Sequence, residues 1–200
     1  QVGSTNTSTI TLGVSGDTIN VPSGVTINNN GTQTGFGGTN TPAFEAYLNT
    51  EQNLTNNTIT IVSIDTEVYD EGGCFNATGS TATLNGISVP ARTFLPNVAG
   101  KYFVYAAVQA DDGVMSNIEY IDVYFYNESD AIIAQQRIRW SNNPIRQGYV
   151  SLQAVINLNG SSNSVKLKTR VATADGTGPL IEAYPSWRRA TYFGAYKLIT

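Results

Sequence analysis

The chain has 200 residues, of which 40% are hydrophobic and 13% are charged, and it carries a formal net charge of −4. This composition can bury a core, whereas the acidic balance argues against nucleic-acid binding, because basic side chains must replace the counterions of the phosphates. The chain has no histidine and one cysteine, Cys74, which excludes histidine-based catalytic triads and an intramolecular disulfide and removes the commonest zinc ligand. No segment approaches about 18 consecutive apolar residues, so the sequence predicts no membrane span.

Residues 1–41 predict a β-repeat stalk that ends in a hinge. The segment 1–35 contains no Lys, Arg, Phe, Tyr or Trp, and its apolar residues come in pairs that alternate with polar residues. Turn formers such as Gly16-Asp17 and Pro22-Ser23-Gly24 separate the pairs, and GFGGTNTP at 35–42 is typical of a hinge. The apolar pairs are Ile10 and Leu12, Ile19 and Val21, and Val25 and Ile27.

Six apolar side chains cannot stabilise this stalk in a single chain. Full burial of each one contributes about 1.5–3 kcal/mol, whereas ordering each backbone unit costs about 1–2 kcal/mol. We therefore expect the stalk to form only when three chains wind together and bury the six side chains along a common axis.

The sequence from Pro42 onward predicts an all-β head domain, residues 42–200. No window keeps helical spacing over three turns, and strand-like segments alternate with turn formers. Short strands at such intervals favour a β-sandwich or barrel. The ten predicted strands are 43–48, 58–64, 66–70, 81–89, 101–110, 118–126, 131–140, 149–158, 164–172 and 190–199.

Two stretches of these strands are apolar or aromatic on both faces. They are KYFVYAAV at 101–108 and TYFGAYKLI at 191–199. A strand with two apolar faces requires cover on both sides. We expect the sandwich core to cover one side and a neighbouring subunit to cover the other. The predicted subunit-interface residues of the head are Tyr102, Phe103, Tyr105, Phe193 and Tyr196.

The segment FLPNVAGKYFVYAAV at 94–108 resembles the centre of the globular head of complement first component subunit q, a relative of the tumour necrosis factor jelly roll. The C-terminal segment ATYFGAYKLI resembles the closing strand of the same family. The residues that fit the first motif are Phe94, Pro96, Gly100, Tyr102 and Val104. Those that fit the second are Phe193, Gly194, Tyr196 and Leu198.

This resemblance covers about residues 42–200 and implies a ten-stranded jelly roll, a tightly packed homotrimer, and recognition rather than catalysis. The collagen stalk of the animal proteins is absent, and the Thr/Ser/Gly/Asn repeat of residues 9–34 stands in its place. That pairing resembles proteins of marine and cyanobacterial phages, in which a thin stalk carries a trimeric knob. It implies a virion protein at the particle surface that contacts other virion proteins and a glycan or protein of the host cell surface.

Three alternatives to such a fibre or spike knob remain open. A stalk of about 35 residues is short for a fibre, so a trimer that decorates and stabilises the capsid fits the same parts. A secreted complement-like lectin that binds carbohydrate is a further alternative, although the chain lacks the collagen stalk and cysteine pairs. A hydrolase would require two carboxylates about 5–10 Å apart in a cleft, and nothing in the sequence marks such a pair, so we predict no catalytic residue.

Aromatic and arginine side chains crowd one predicted turn at 184–194. Such side chains are typical of recognition surfaces, and aromatic faces stack on sugars or cations. Tyr184, Trp187, Arg188 and Arg189 form the predicted recognition surface. The alternative for Trp187 is that it fills the end of the sandwich or the seam between subunits.

A cationic row occupies one face of the predicted strand 164–172. Its members are Lys166, Lys168 and Arg170, because a period of two places alternate side chains on one face. The row is able to bind an anionic glycan. The alternatives are that it is solvated or that it pairs with the acids of a neighbouring subunit.

Acidic residues cluster at 65–71 and at 111–112 and are able to hold a metal ion or to solvate loops. If a metal binds, Ca²⁺ fits best, because oxygen ligands are present and histidine is not. No twelve-residue calcium loop occurs, so the sequence assigns no cofactor and no metal ligand. We expect Cys74 to be a free thiol close to a loop.

Overall fold

The computed structural model describes residues 13–26, 28, 40–113, 116–140, 142–184 and 189–199. The chain divides into two compact units, Gln1–Phe36 and Gly37–Thr200. The division falls inside the segment 35–42, which the sequence marks as a hinge. The assignment of the first unit as a stalk, and the start of the head domain at residue 42, stay predictions.

Residues 13–26 contain two similar tight turns. The backbone N–H of Asp17 donates to the carbonyl of Val14 (3.0 Å), and the backbone N–H of Val25 donates to the carbonyl of Pro22 (3.2 Å). The third residue of each turn is a glycine with positive φ, as a type II turn requires. Both turns lie where the sequence predicts them.

The predicted strands of the repeat are not found within a single chain among residues 13–26. Ile19, Val21 and Val25 are exposed, so no described residue of this unit covers the described part of the apolar pattern. Their burial between three chains stays a prediction. Ile10, Leu12 and Ile27 lie outside the described residues.

The second unit is built from β-strands, and no helix occurs among its described residues. In chain order the strands are β1 (Ala43–Tyr47), β2 (Gln52–Asn53), β3 (Thr60–Ile61), β4 (Thr66–Glu71), β5 (Phe75–Asn76), β6 (Ala82–Leu84), β7 (Ile87–Val89), β8 (Thr93–Phe94), β9 (Gly100–Asp111), β10 (Ile118–Tyr126), β11 (Ile132–Arg139), β12 (Gln147–Leu158), β13 (Val165–Thr173), β14 (Leu180–Ile181) and β15 (Tyr192–Lys197).

Two antiparallel sheets enclose the core. Sheet I has the order β2-β14-β9-β15-β1-β4, and β12 pairs with the opposite edge of β9. Sheet II has the order β11-β10-β13-β8-β5, and β3 also pairs with β13. The buried side chains of the two sheets form one hydrophobic cluster. This arrangement confirms the predicted all-β jelly-roll sandwich.

Each of the ten predicted strands overlaps a strand of the structure, but one of them is wrong in form. Residues 81–89 form a hairpin of β6 and β7 rather than one strand. Asn85 and Gly86 turn the chain with φ values of 49° and 76°, and Asn-Gly is a favoured pair for a two-residue hairpin turn. The sequence prediction missed four strands of two residues, which are β2, β5, β8 and β14.

Aromatic packing at the centre of the core corrects two of the predicted interface residues. Phe193 packs its ring edge against Phe44, with 5.0 Å between ring centroids. Tyr102 packs against Phe94 (5.5 Å) and donates its hydroxyl to the carbonyl of Val98 (2.7 Å). Both Tyr102 and Phe193 are fully buried within one subunit. The expectation that they contact a neighbouring subunit is therefore wrong.

Cys74 is free, as predicted, but it is buried in the core rather than close to a loop surface. Asp70 binds this segment, because its carboxylate accepts the backbone N–H of Cys74 (2.8 Å), the backbone N–H of Phe75 (3.1 Å) and the thiol (3.1 Å). Burial raises the pKa of the Cys74 thiol, and the carboxylate of Asp70 raises it further. The thiol is therefore unreactive at neutral pH.

The buried side chain of Asn76 holds the irregular segment that follows β5. Its amide Nδ2 donates to the carbonyls of Ser80 (2.9 Å), Val89 (2.9 Å) and Pro90 (3.0 Å). Its Oδ1 accepts the backbone N–H of Thr78 (2.9 Å). One side chain therefore satisfies several backbone groups that would otherwise be unpaired.

We predict that Asn76→Asp lowers the free energy of unfolding by at least about 3 kcal/mol, because a buried carboxylate cannot donate to the three carbonyls. Chemical denaturation followed by fluorescence measures the change. The matched control is Asn157→Asp on β12, where the side chain is exposed and where we expect a change of less than about 0.5 kcal/mol. Equal effects of the two substitutions would contradict this account of Asn76.

Candidate functional site

The outer face of sheet I is rich in aromatic side chains. Alternation along β9 points Val104 and Ala106 into the core and leaves Phe103 and Tyr105 on the outer side. In β15 the same alternation places Tyr192 and Tyr196 outward. We call this surface the aromatic face; its members are Tyr47, Tyr69, Phe103, Tyr105, Tyr149, Val155, Tyr192 and Tyr196.

Neighbouring strands bring these side chains into contact. Ring centroids of Phe103 and Tyr196 are 5.5 Å apart, and those of Phe103 and Tyr105 are 6.1 Å apart. The ring of Tyr105 lies over Gly194 of β15, where any Cβ would overlap with it. Glycine at this position is thus required for the close packing of the ring on the sheet.

Part of the aromatic face stays open to solvent. Val155 is 59% exposed and Tyr149 is 48% exposed, although both lie on β12, which pairs with β9 along its whole length. Val155 is the direct neighbour of Phe103 across the sheet. A contiguous apolar surface of this kind on a folded domain marks an interaction site.

A single carboxylate connects this face to the predicted recognition surface. Glu45 of β1 accepts the hydroxyl of Tyr105 at Oε2 (3.0 Å) and Nη1 of Arg189 at Oε1 (3.0 Å). The guanidinium of Arg189 also lies over the ring of Tyr47, 5.3 Å from its centroid. Burial raises the pKa of Tyr105, and its hydrogen bond with Glu45 raises it further. The Tyr105 hydroxyl therefore remains a proton donor to Glu45.

The structure thus brings together residues that the sequence assigned to two separate surfaces. Phe103, Tyr105 and Tyr196 of the predicted interface share one face with Arg189 of the predicted recognition surface. The hydroxyl of Tyr184 lies 3.5 Å from the amide of Gln147, at the end of the same sheet. The other two predicted recognition residues, Trp187 and Arg188, lie outside the described residues.

Sequence reasoning missed the contribution of β12 to this face. The apolar residues Val150, Leu152 and Ile156 alternate with polar ones along that strand and are buried. The opposite side carries Tyr149 and Val155 among polar residues. These two side chains were the available indication that this side belongs to the aromatic face.

Two buried carboxyl groups meet at the end of sheet I where β9 and β14 pair. Asp111 is 3% exposed and Glu182 is 4% exposed. The amide of Gln147 donates to both, at 3.2 Å and 3.4 Å, while Oε2 of Glu182 has no donor among the described residues. Burial raises the pKa of Glu182. The hydrogen bond with Tyr184 acts to lower this pKa, and the neighbouring Asp111 carboxyl acts to raise it further.

We predict that Glu182→Gln makes the domain more stable at pH 7–8. A carboxyl whose pKa is raised in the folded state stabilises that state while it is protonated, and this stability is lost as the pH rises from 4.5 through the raised pKa. The amide keeps the neutral form, so we expect a gain of about 1 kcal/mol at neutral pH and a flatter dependence of stability on pH. Thermal unfolding between pH 4 and pH 8 measures both.

The control for this experiment is Glu71→Gln, which removes an exposed carboxylate from β4. Its stability should follow the pH dependence of the unmodified chain. A decrease in stability of Glu182→Gln at neutral pH would contradict a raised pKa of Glu182 in the folded domain.

Among the described residues no group of three or more acidic, cysteine or histidine side chains is placed to hold a metal ion. Within the same part of the chain, no helix is long and apolar enough to cross a membrane.

The chain is similar to several solved structures. The crystal structure of murine APRIL at pH 5.0 matches with a TM-score of 0.51 and 13% identity, over 78% of this chain and 98% of that chain. The globular domain of zebrafish complement 1qA matches with a TM-score of 0.51 and 14% identity, over 78% of this chain and 97% of that chain. No family model matches the sequence, and no curated protein does.

These likenesses show the fold. The chain has the jelly-roll fold of the complement C1q and tumour necrosis factor proteins, which confirms the fold implied by the motifs at 94–108 and 190–199. At 13–14% identity the likeness extends to the fold alone.

Proposed function

We propose that this chain is a non-enzymatic recognition protein that works as a homotrimer, in which the aromatic face of each subunit is covered by the other subunits. The observation that carries the proposal is the open, apolar surface formed by Phe103, Tyr105, Tyr149, Val155 and Tyr196 on the outer side of sheet I.

The character of this surface favours a subunit interface over a small-ligand site. It is broad and lies on regular strands, whereas small-ligand sites are concave with a few convergent polar groups. Tyrosine and phenylalanine are enriched in interface cores. Full burial of Val155 and its aromatic neighbours between subunits would stabilise the assembly by on the order of 1 kcal/mol or more for each side chain. Three copies of a weak binding site held on one trimer would also bind a repetitive target with much greater avidity than one.

We predict that Val155→Asp dissociates the trimer. It places a charge at the centre of the proposed interface, where an unpaired carboxylate is costly to bury. We expect the apparent dissociation constant for assembly to rise at least about hundredfold, measured as mass by light scattering after size exclusion. The matched control is Ile133→Asp, an exposed apolar position on the edge strand β11 of sheet II.

The mass of the Ile133→Asp control should remain that of the unmodified protein. A Val155→Asp variant that keeps that mass would contradict the proposed interface, and so would equal dissociation of both variants.

We further propose that the trimer is a structural protein of a bacteriophage virion, displayed on the particle surface as the knob of a fibre or spike that binds the host. The support is the N-terminal repeat of small polar residues, which carries two type II turns of the same design. A thin stalk before a trimeric head would project the head from a particle and hold three sites in one orientation. The partners would be other virion proteins and a glycan or protein of the host surface.

Two other functions are consistent with a trimeric head that follows a short stalk. A capsid-decoration trimer would have the same aromatic interface and a stalk that contacts the shell. A secreted complement-like carbohydrate-binding lectin has equal support from the fold alone. The short N-terminal repeat favours the first over the second, because no collagen sequence is present.

An antibody against the head domain tests the location of the protein. We expect it to label the surface of particles of the virus whose genome encodes this chain, as seen by electron microscopy with gold conjugates. Label at tail or spike tips supports a knob, and label over the shell supports a decoration protein. A free, secreted protein with unlabelled particles would contradict the virion assignment and favour the lectin.

A further inference from the structure

Basic side chains gather on the outer face of sheet II, on the opposite side of the sandwich from the aromatic face. The chain has eleven Lys and Arg residues and is acidic in total. Five of the eleven project from this one face, on β11 and β13: Arg137, Arg139, Lys166, Lys168 and Arg170. The cationic row predicted on β13 is therefore part of a wider surface that β11 extends.

A buried carboxylate fixes two of the arginines. Asp122 of β10 accepts Nε and Nη2 of Arg137 at 2.5 Å and 2.7 Å, and Nε and Nη2 of Arg170 at 3.0 Å and 2.8 Å. Tyr124 donates its hydroxyl to the same carboxylate (2.7 Å). Burial acts to raise the pKa of Asp122, but the hydrogen bonds from Arg137, Tyr124 and Arg170 outweigh it and lower the pKa to about 2.

Both arginines keep N–H groups that Asp122 does not engage. Each guanidinium has five N–H groups, and Asp122 accepts only from the Nε and Nη2 edge of each. The side chain of Arg137 remains 40% exposed and that of Arg170 remains 25% exposed. Because the sheet and the carboxylate already fix their positions, the two arginine side chains would lose little conformational entropy when a ligand binds.

A third arginine, Arg139, leaves this group of side chains with more positive than negative charge. The guanidinium carbons of Arg137, Arg170 and Arg139 lie 4.8, 5.5 and 6.0 Å from the centroid of the Tyr120 ring. Arg139 is exposed and makes no ion pair with a described residue. Three guanidinium groups thus surround one ring, with the single carboxylate of Asp122 among them.

We propose that this cluster, Arg137, Arg139 and Arg170 around Tyr120, binds the anionic groups of an acidic polysaccharide, either carboxylates or sulfates. The proposal rests on the proposed recognition function and names its ligand class. Arginine suits such groups because its planar fork donates two parallel hydrogen bonds to two oxygens. An anion at the cluster relieves the repulsion among the three cations.

The surroundings favour a polysaccharide over a nucleic acid. Lys166 and Lys168 on the same face are already paired with Asp130, at 3.3 Å and 2.8 Å. Most of the excess positive charge therefore lies at the three arginines, which offer far fewer cations than the roughly 6–10 phosphate contacts of a nucleic-acid complex. The net charge of −4 also repels a densely charged polymer such as a nucleic acid at longer range. A glycan that repeats one charged group at intervals suits three copies of the cluster on one trimer, because each copy binds one such group.

Matched polymers test the proposal with the full chain. Binding to dextran sulfate, carboxymethyl dextran and unmodified dextran is measured by biolayer interferometry at low and at physiological salt. We expect binding to at least one charged dextran and none to dextran, and the charged polymer that binds identifies sulfate or carboxylate as the group recognised. No binding to either charged polymer would overturn the proposal, and so would equal binding to single-stranded DNA.

Arg139→Gln is the informative variant, because Arg139 has no role in the ion pairs around Asp122 and its loss leaves the fold intact. We expect it to weaken binding about tenfold, the loss expected for one charge-assisted hydrogen bond. The matched control is Lys101→Gln, which removes the same charge from an exposed position on β9 in sheet I and should change binding less than twofold. Equal losses in the two variants would show general charge attraction and would overturn the site.

The mass of each sample is measured in the same buffers. A monomer that binds the charged polymer through Arg139 would overturn the trimer while leaving the anion site in place. A trimer that does not bind would overturn the anion site alone.

Discussion

Strands β9 and β15 carry apolar side chains on both faces and therefore require cover on both sides. The rest of the second unit is arranged around this requirement. On the inner side, Val104 and Phe193 pack against sheet II and close the core. On the outer side, Phe103 and Tyr196 pack against each other but stay partly open to solvent. The folded subunit therefore buries the inner apolar side of these strands, whereas the outer side keeps apolar surface in contact with water.

The two outer faces of the sandwich differ in chemistry although both are rich in tyrosine. On sheet I the hydroxyl of Tyr105 pairs with Glu45, and the surrounding side chains are apolar. On sheet II the hydroxyl of Tyr124 pairs with Asp122, and the surrounding side chains are arginines. The first face suits permanent burial against other subunits. The second suits reversible contact with a charged ligand, since its cations remain hydrated until the ligand binds.

The fold could be predicted from the sequence because its long strands alternate clearly and its two motifs are placed at the right distance. The two-residue strands β2, β5, β8 and β14 could not, because pairing this short leaves no periodicity. The inward direction of Tyr102 and Phe193 was also hidden, since Phe103 follows Tyr102 and Tyr192 precedes Phe193, so that each strand offers an aromatic ring to both faces. The arginine cluster joins β10, β11 and β13, so only the register of three strands reveals it.

The mass of the unmodified chain in solution tests the central claim most directly. Sedimentation equilibrium at micromolar concentration should give three times the chain mass of 21.4 kDa, because the aromatic face is then buried between subunits. A mass of one chain under the same conditions, with the domain folded, would contradict the account, since Phe103, Val155 and Tyr196 would then have no cover.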